Sequence, residues 1–158
     1  QANRYYKNIP DKKVSIVYAT AYGNTKLMAD KIKEGIEETG VKVSLLDAAA
    51  LDVMEIIDEL EISHGILIGT PTLNAKAPKP ILNLFAYFVV LNVVNRLAGA
   101  FGSFGWSGEG VKVTEDIMKT MRMKLPQDSF KVKMTPSEED LVRAHDWGRE
   151  FGMAVLES

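Results

Sequence analysis

The chain has no cysteine, so disulfides, thiolate metal sites and cysteine nucleophiles are excluded outright. Histidine is nearly as scarce. His64 and His145 are the only two, too few to build a multi-histidine metal centre. No apolar run reaches the roughly 18 residues of a membrane-spanning helix, because asparagine, glycine or lysine interrupts each one first. No signal peptide is visible either, and a cytoplasmic address is the expectation. A basic stripe is also missing, and the formal net charge is −2, which argues against nucleic acid as a main partner. Two nucleotide signatures are absent: the G-x-x-x-x-G-K-[ST] loop of nucleoside triphosphatases and the G-x-G-x-x-G turn of dinucleotide folds. The first residue is Gln1 instead of methionine, so the chain is expected to be processed or cut from something longer.

What is present fits one domain. A length of 158 residues is the usual domain size, large enough for a core that needs no staple. Hydrophobic residues make up 46% and charged residues 25%, as in ordinary globular proteins. Residues 1–13, polar with Tyr5, Tyr6 and Pro10, read as a linker or N-terminal arm, and residues 14–158 as the domain. Apolar runs predict strands over 14–18, 41–46, 65–69, 97–103 and 130–134. Between them, helical spacing predicts helices over 25–39, stopped by Gly40, from Asp47 or Asp52 to about Leu60, from Lys79 or Pro80 to Arg96, and over 111–124. A last helix opens at Pro136-Ser137-Glu138-Glu139, with Leu141, Ala144, Gly148, Phe151, Gly152 and Val155 as its buried seam. Five strands alternating with five helices imply an α/β fold, a parallel sheet covered on both faces. In such sheets ligands bind beyond the carboxyl ends of the strands. The loops after the first, third and fourth strands, 20–25, 71–77 and 104–109, should therefore meet.

The first of these loops, T-A-Y-G-N-T, joins a buried strand to a helix. It offers backbone N–H groups, the positive end of a helix dipole and the hydroxyls of Thr20, Tyr22 and Thr25 to one anion. It contains no lysine or arginine. A phosphate monoester would fit it without a formal ion pair; otherwise Gly23 and Asn24 serve only as a tight turn. The third loop, G-S-F-G-W-S-G, has glycines that let the backbone approach a planar ligand closely. Trp106 there either lies flat on an aromatic ring system, a contact worth roughly 0.5–1.5 kcal/mol beyond area burial, or packs as ordinary core. The middle loop, P-T-L-N-A-K-A-P, has Thr72 and Asn74 to bond a heterocycle edge and Leu73 to cover a face.

Other chemistries on this architecture lack their residues. A phospho-receiver needs carboxylates at the ends of the first and third strands, where this chain has Ala19-Thr20 and Gly69-Thr70. A hydrolase needs a nucleophile with a base. His64 precedes a buried strand, far from its carboxyl end, and His145 lies on the final helix.

Taken together, T-A-Y-G-N-T, P-T-L-N-A and F-G-S-F-G-W-S-G resemble the flavodoxin family, and most closely the flavodoxin-like domain of flavodiiron proteins (A-type flavoproteins). The resemblance covers nearly all of residues 12–158, and the G-S-F-G-W-S-G-E stretch favours the flavodiiron branch. It implies a three-layer sandwich with strand order 2-1-3-4-5 and a noncovalent FMN. The phosphate loop maps onto Thr20, Ala21, Tyr22, Gly23, Asn24 and Thr25. The middle loop maps onto Pro71, Thr72, Leu73, Asn74 and Ala75. The third maps onto Ser103, Phe104, Gly105, Trp106, Ser107, Gly108 and Glu109. Flavodiiron domains usually carry an aromatic residue where this chain has Leu73, so an aliphatic group is expected on one flavin face.

The resemblance further implies a separate metallo-β-lactamase-like domain, in the same or a partner subunit, with a diiron site that reduces O₂ or NO. It also implies an upstream electron donor such as a rubredoxin or a reductase, and a head-to-tail homodimer in the full-length protein. The expected role is electron transfer, with the redox chemistry belonging to the flavin and no catalytic residue or metal in this chain. An NAD(P)H-dependent FMN quinone reductase on the same fold is the alternative, and a cofactor-free interaction module is a third reading.

Overall fold

The computed structural model describes residues 12–19, 23–71, 78–88, 91–104 and 109–158. Five strands form one sheet: β1 (Lys13–Tyr18), β2 (Lys42–Asp47), β3 (Gly65–Gly69), β4 (Leu97–Phe104) and β5 (Phe130–Lys133). All pairings are parallel, and the order is β2-β1-β3-β4-β5. This is the flavodoxin-like arrangement that the alternation and the resemblance imply. Five helices are described: α1 (Asn24–Glu37), α2 (Val53–Glu61), α3 (Lys79–Ala86), α4 (Glu109–Thr120) and α5 (Glu138–Glu157).

The central strands β1, β3 and β4 are buried on both faces, since successive side chains of a strand point to opposite sides. In β1, Val14, Ile16 and Tyr18 join a core with Met28, Ile32 and Ile36 of α1 and Ala144, Phe151 and Val155 of α5. Val17 and Ala19 join a second core with α2, α3 and α4. Hence β1 reads as a continuous apolar run.

The final helix opens as its sequence predicts. Ser137 Oγ accepts from the Asp140 N–H at 3.1 Å, and Asp140 Oδ2 accepts from the Ser137 N–H at 3.0 Å, a reciprocal capping box. Of its expected seam, Leu141 is only half-buried. Trp147 belongs to the seam as well, stacked on Phe151 at 6.4 Å, with its indole N–H donating to the Asp128 carbonyl at 2.8 Å.

Two helices stop earlier than their periodicity predicts. The third ends at Ala86 and not at Arg96. Beyond it Leu91 and Val93 are buried while Asn92 and Val94 are exposed, so burial at every second residue overrides the helical pattern. Asn95 then turns the chain at φ 67°. The fourth helix ends at Thr120 and not at Lys124. The Arg122 N–H bonds to the Lys119 carbonyl at 3.0 Å and the Met123 N–H to the Met118 carbonyl at 3.1 Å. With Arg122 at φ 63° this is a Schellman stop, and Met118 and Met123 pack into the same core. Lys124 is thereby freed to bridge Leu97.

Helices α1 and α5 cross at backbone contact through glycines. A Cβ on Gly35 would lie 2.0 Å from the His145 carbonyl oxygen, and one on Gly148 would lie 2.3 Å from that of Ile32. Beside this crossing His145 Nε2 meets Glu38 Oε2 at 2.5 Å, and Nδ1 lies 3.4 Å from Asp146. Lys31 and Glu138 line the adjoining cleft. The hydrogen bond to Glu38 holds the His145 pKa above its ordinary 6.5. A raised folded-state pKa stabilises fully below the unfolded value and is lost as pH rises through the folded one. Stability should therefore fall from about pH 6.5 upward through this pair. In Glu38→Gln that component should vanish. NMR titration of the His145 ring checks this, with the variant pKa expected below the wild-type value.

Candidate functional site

Parallel register brings the carboxyl ends of three strands level. Tyr18 of β1 pairs with Gly69 of β3, and Gly69 with Phe101 of β4. The pairing continues past the strand ends, with the Ala19 N–H on the Gly69 carbonyl and the Thr70 N–H on the Phe101 carbonyl, both at 3.0 Å. The three loops singled out in the sequence therefore leave from adjacent rungs. Strands lie about 4.8 Å apart, so β1 to β4 spans about 10 Å, a width suited to a flat fused ring system.

At the β1 exit Gly23 caps α1 in the left-handed region, at φ 77°. Among the described residues no side chain caps the helix, and no acidic residue lies in its first turn. The first N–H groups of a helix have no acceptor within it, so this end carries uncompensated donors and positive dipole potential. Thr25 lies inside this first turn. Its side chain is fully buried, and Oγ1 is a buried polar atom without a hydrogen-bond partner among the described residues. Leaving such a hydroxyl unpaired costs about 1–3 kcal/mol. Lys26, the nearest cation on the helix, is exposed and paired with Asp30 at 3.0 Å. An orphaned hydroxyl at an uncapped helix start fits a phosphate group.

At the β3 exit Thr70 is fully buried, and its hydroxyl donates to the Pro71 carbonyl at 2.9 Å. Pro71 is itself buried. A Cβ on Gly102 would meet the Thr70 carbonyl oxygen at 1.8 Å, so glycine is required where β4 passes the start of the middle loop. Ser103 is buried and Phe104 half-buried at the end of β4. The Phe104 carbonyl accepts from the Met134 N–H at 2.7 Å, beyond β5.

Of the residues read from the sequence as site residues, the structure places Gly23, Asn24, Thr25, Pro71, Ser103 and Phe104 at this end of the sheet. Thr20, Ala21, Tyr22, Thr72, Leu73, Asn74, Ala75, Gly105, Trp106, Ser107 and Gly108 lie outside the described residues. Two further residues at this end of the sheet, Thr70 and Gly102, are not among the site residues read from the sequence. The signal for Gly102 was its place in the glycine-rich third motif. For Thr70 the sequence carries no signal, because its role depends on cross-strand register. His64 is at the opposite end, where Nδ1 accepts from the Lys13 N–H at 3.2 Å. Burial, with Lys12 and Arg96 nearby, lowers its pKa. Among the described residues no group of three or more histidines, aspartates or glutamates could hold a metal ion. No described helix is long and apolar enough to cross a membrane.

Comparison with known proteins settles the family. The flavodoxin family model matches residues 16–148. The chain belongs to the flavodoxin family. Within it the chain is similar to the flavo-diiron protein FprA2 of Clostridium acetobutylicum, 34% identical over 146 residues, which cover 91% of this chain and 36% of that protein. Rubredoxin oxygen:oxidoreductase from Desulfovibrio gigas superposes with a TM-score of 0.89 at 28% identity, over 98% of this chain and 38% of that one. An archaeal flavodoxin superposes with a TM-score of 0.83 at 29% identity, over 90% of this chain and 98% of its own. This flavodoxin-family chain thus spans about a third of the flavodiiron relatives and nearly the whole of a free-standing flavodoxin.

Proposed function

We propose that the chain is an FMN-binding electron-transfer domain acting within a flavodiiron O₂ or NO reductase. The observation that carries the FMN reading is Thr25, a fully buried hydroxyl that has no partner among the described residues, at a helix start that none of them caps. FMN supplies the electron-carrying chemistry when bound. Thr25 Oγ1 and the N–H groups of the first turn of α1 would hold the phosphate. By the resemblance, Thr20, Ala21, Tyr22, Gly23 and Asn24 would also belong to the phosphate loop, and Pro71, Thr72, Leu73, Asn74, Ala75, Ser103, Phe104, Gly105, Trp106, Ser107 and Gly108 to the two loops that would hold the ring. Gly102 lets β4 and the middle loop close to backbone contact, which sets the spacing of the two ring loops.

Similarity to flavodiiron proteins along 91% of this chain supports the larger setting. In that setting the diiron site belongs to a metallo-β-lactamase-like domain of the same or a partner subunit. Electrons arrive from a donor such as a rubredoxin or a reductase, and the full-length protein is a head-to-tail homodimer in the cytoplasm. A quinone reductase finds no such support among the flavodiiron relatives. The test is to titrate the ligand-free chain with FMN and then offer NADH or NADPH with a quinone. Stoichiometric uptake with a yellow spectrum and no steady-state nicotinamide oxidation is the expected result. Failure to take up FMN overturns the cofactor reading, and sustained turnover overturns the relay reading.

A further inference from the structure

Two fully buried threonines stand at the carboxyl end of the sheet, and the fold treats their hydroxyls differently. Thr25 Oγ1 has no partner among the described residues. Thr70 Oγ1 donates to the carbonyl of the very next residue, Pro71, at 2.9 Å. Filling the core does not call for that hydroxyl, since valine has the same shape and suits a strand end equally well. What the hydroxyl adds is control of one backbone angle. A residue has only φ and ψ to adjust. In Pro71 the ring fixes φ at about −65°, and the hydrogen bond to its carbonyl fixes ψ. The residue before a proline is itself confined to extended backbone, and Thr70 is held further from both sides. Its N–H donates to the Phe101 carbonyl at 3.0 Å. Its carbonyl oxygen lies so close to Gly102 that a Cβ there would stand 1.8 Å away. Thr70 and Pro71 thus keep no free torsion, and the chain enters the middle loop in a single direction.

We propose that Thr70 is a positioning residue for the flavin ring, acting through its hydrogen bond to the Pro71 carbonyl. The inference rests on the FMN reading. Thr70 has no exposed surface, so it works through Pro71 and not by touching the ligand. A loop entry that is fixed before the ligand arrives reduces the ordering that binding has to supply. The two threonines then serve opposite ends of one ligand, Thr25 the phosphate and Thr70 the ring. The contribution of Thr70 does not involve the phosphate, so it should be the same for FMN and for riboflavin.

The test is fluorescence titration of the ligand-free chain with FMN and with riboflavin. Thr70→Val should weaken both by about three- to ten-fold and leave their ratio unchanged. Thr70→Ser keeps the hydroxyl and should bind both within about two-fold of the wild type. The visible circular dichroism of bound FMN should change in Thr70→Val and return in Thr70→Ser. Ser63→Ala is the control for a purely structural loss. Ser63 is buried at the opposite end of the sheet, where its hydroxyl donates to the Glu59 carbonyl at 2.7 Å. That variant should lose stability and keep its affinity for both flavins. In the ¹³C-labelled ligand-free chain, the Pro71 carbonyl resonance should move upfield in Thr70→Val and much less in Thr70→Ser, which reports the hydrogen bond without any flavin. A lowered Tm with unchanged flavin affinity in Thr70→Val overturns the positioning role. So does a loss confined to FMN, or a Thr70→Ser chain that binds as weakly as Thr70→Val. Failure of the wild type to take up either flavin condemns the cofactor reading instead, whereas normal wild-type uptake with any of those three results condemns the role of Thr70 alone.

Discussion

Thr25→Val is expected to stabilise the ligand-free chain and weaken FMN binding in the same protein. Valine keeps the shape of threonine and removes the one side-chain polar atom left buried and unpaired among the described residues. Relief of an unsatisfied hydroxyl contributes about 1–3 kcal/mol, and at this chain length each kcal/mol raises Tm by about 2–4 °C. The same change deletes a hydrogen bond to a charged phosphate, worth about 1.5–3 kcal/mol, so affinity for FMN should drop by about 10- to 150-fold. Riboflavin affinity should not change. Calorimetry of the apo chain and fluorescence titration with both flavins read these outcomes. A lowered Tm with unchanged FMN affinity would show that Thr25 is packing alone. The opposite signs matter, because an ordinary core residue loses stability when altered and a site residue kept for a ligand gains it.

Gly35→Ala should cause a large loss of stability. Its Cβ would meet the His145 carbonyl oxygen at 2.0 Å and the Arg149 nitrogen at 2.8 Å. Both are backbone atoms of α5, so no side chain can rotate away and the two helices must separate. Overpacking usually costs about 1–3 kcal/mol. With no side chain to yield, about 3 kcal/mol or more is expected here, a Tm lowered by roughly 6–12 °C. Gly148→Ala meets the Ile32 carbonyl at 2.3 Å and should act alike. The double variant should lose less than the sum, since one separation relieves both contacts. Gly23→Ala is the contrast: nothing lies within 4 Å of its Cβ, and only the φ of 77° resists, at about 1–2 kcal/mol. Thermal unfolding of the four variants checks the ranking. Equal losses at Gly23 and Gly35 would contradict helix contact as the cause.

The central strands were legible because parallel strands buried on both faces read as nearly unbroken apolar runs. Gly65-Ile66-Leu67-Ile68-Gly69 is bounded in the structure as it is in the sequence. The third helix was not, since Leu91 and Val93 go inward for reasons of tertiary burial that periodicity cannot weigh. Trp147 had a signal, three residues after Ala144 and four before Phe151, but Gly148 drew attention to the same turn. At the site, Thr25 could be named from its place in T-A-Y-G-N-T, whereas its lack of any partner is visible only in the fold. Thr70 and Gly102 meet across strands 32 residues apart in sequence, and no local pattern encodes that contact.

The most direct test is a comparison of FMN and riboflavin binding to the ligand-free wild-type chain under one set of conditions. The two ligands differ only in the phosphate. An uncapped helix start and at least one charge-assisted hydrogen bond together contribute several kcal/mol, about 2 from the dipole at most and about 1.5–3 from each bond. FMN should therefore bind about a hundred-fold or more tighter than riboflavin. Equal affinities would contradict the account, because they would leave Thr25 and the start of α1 with no phosphate to hold.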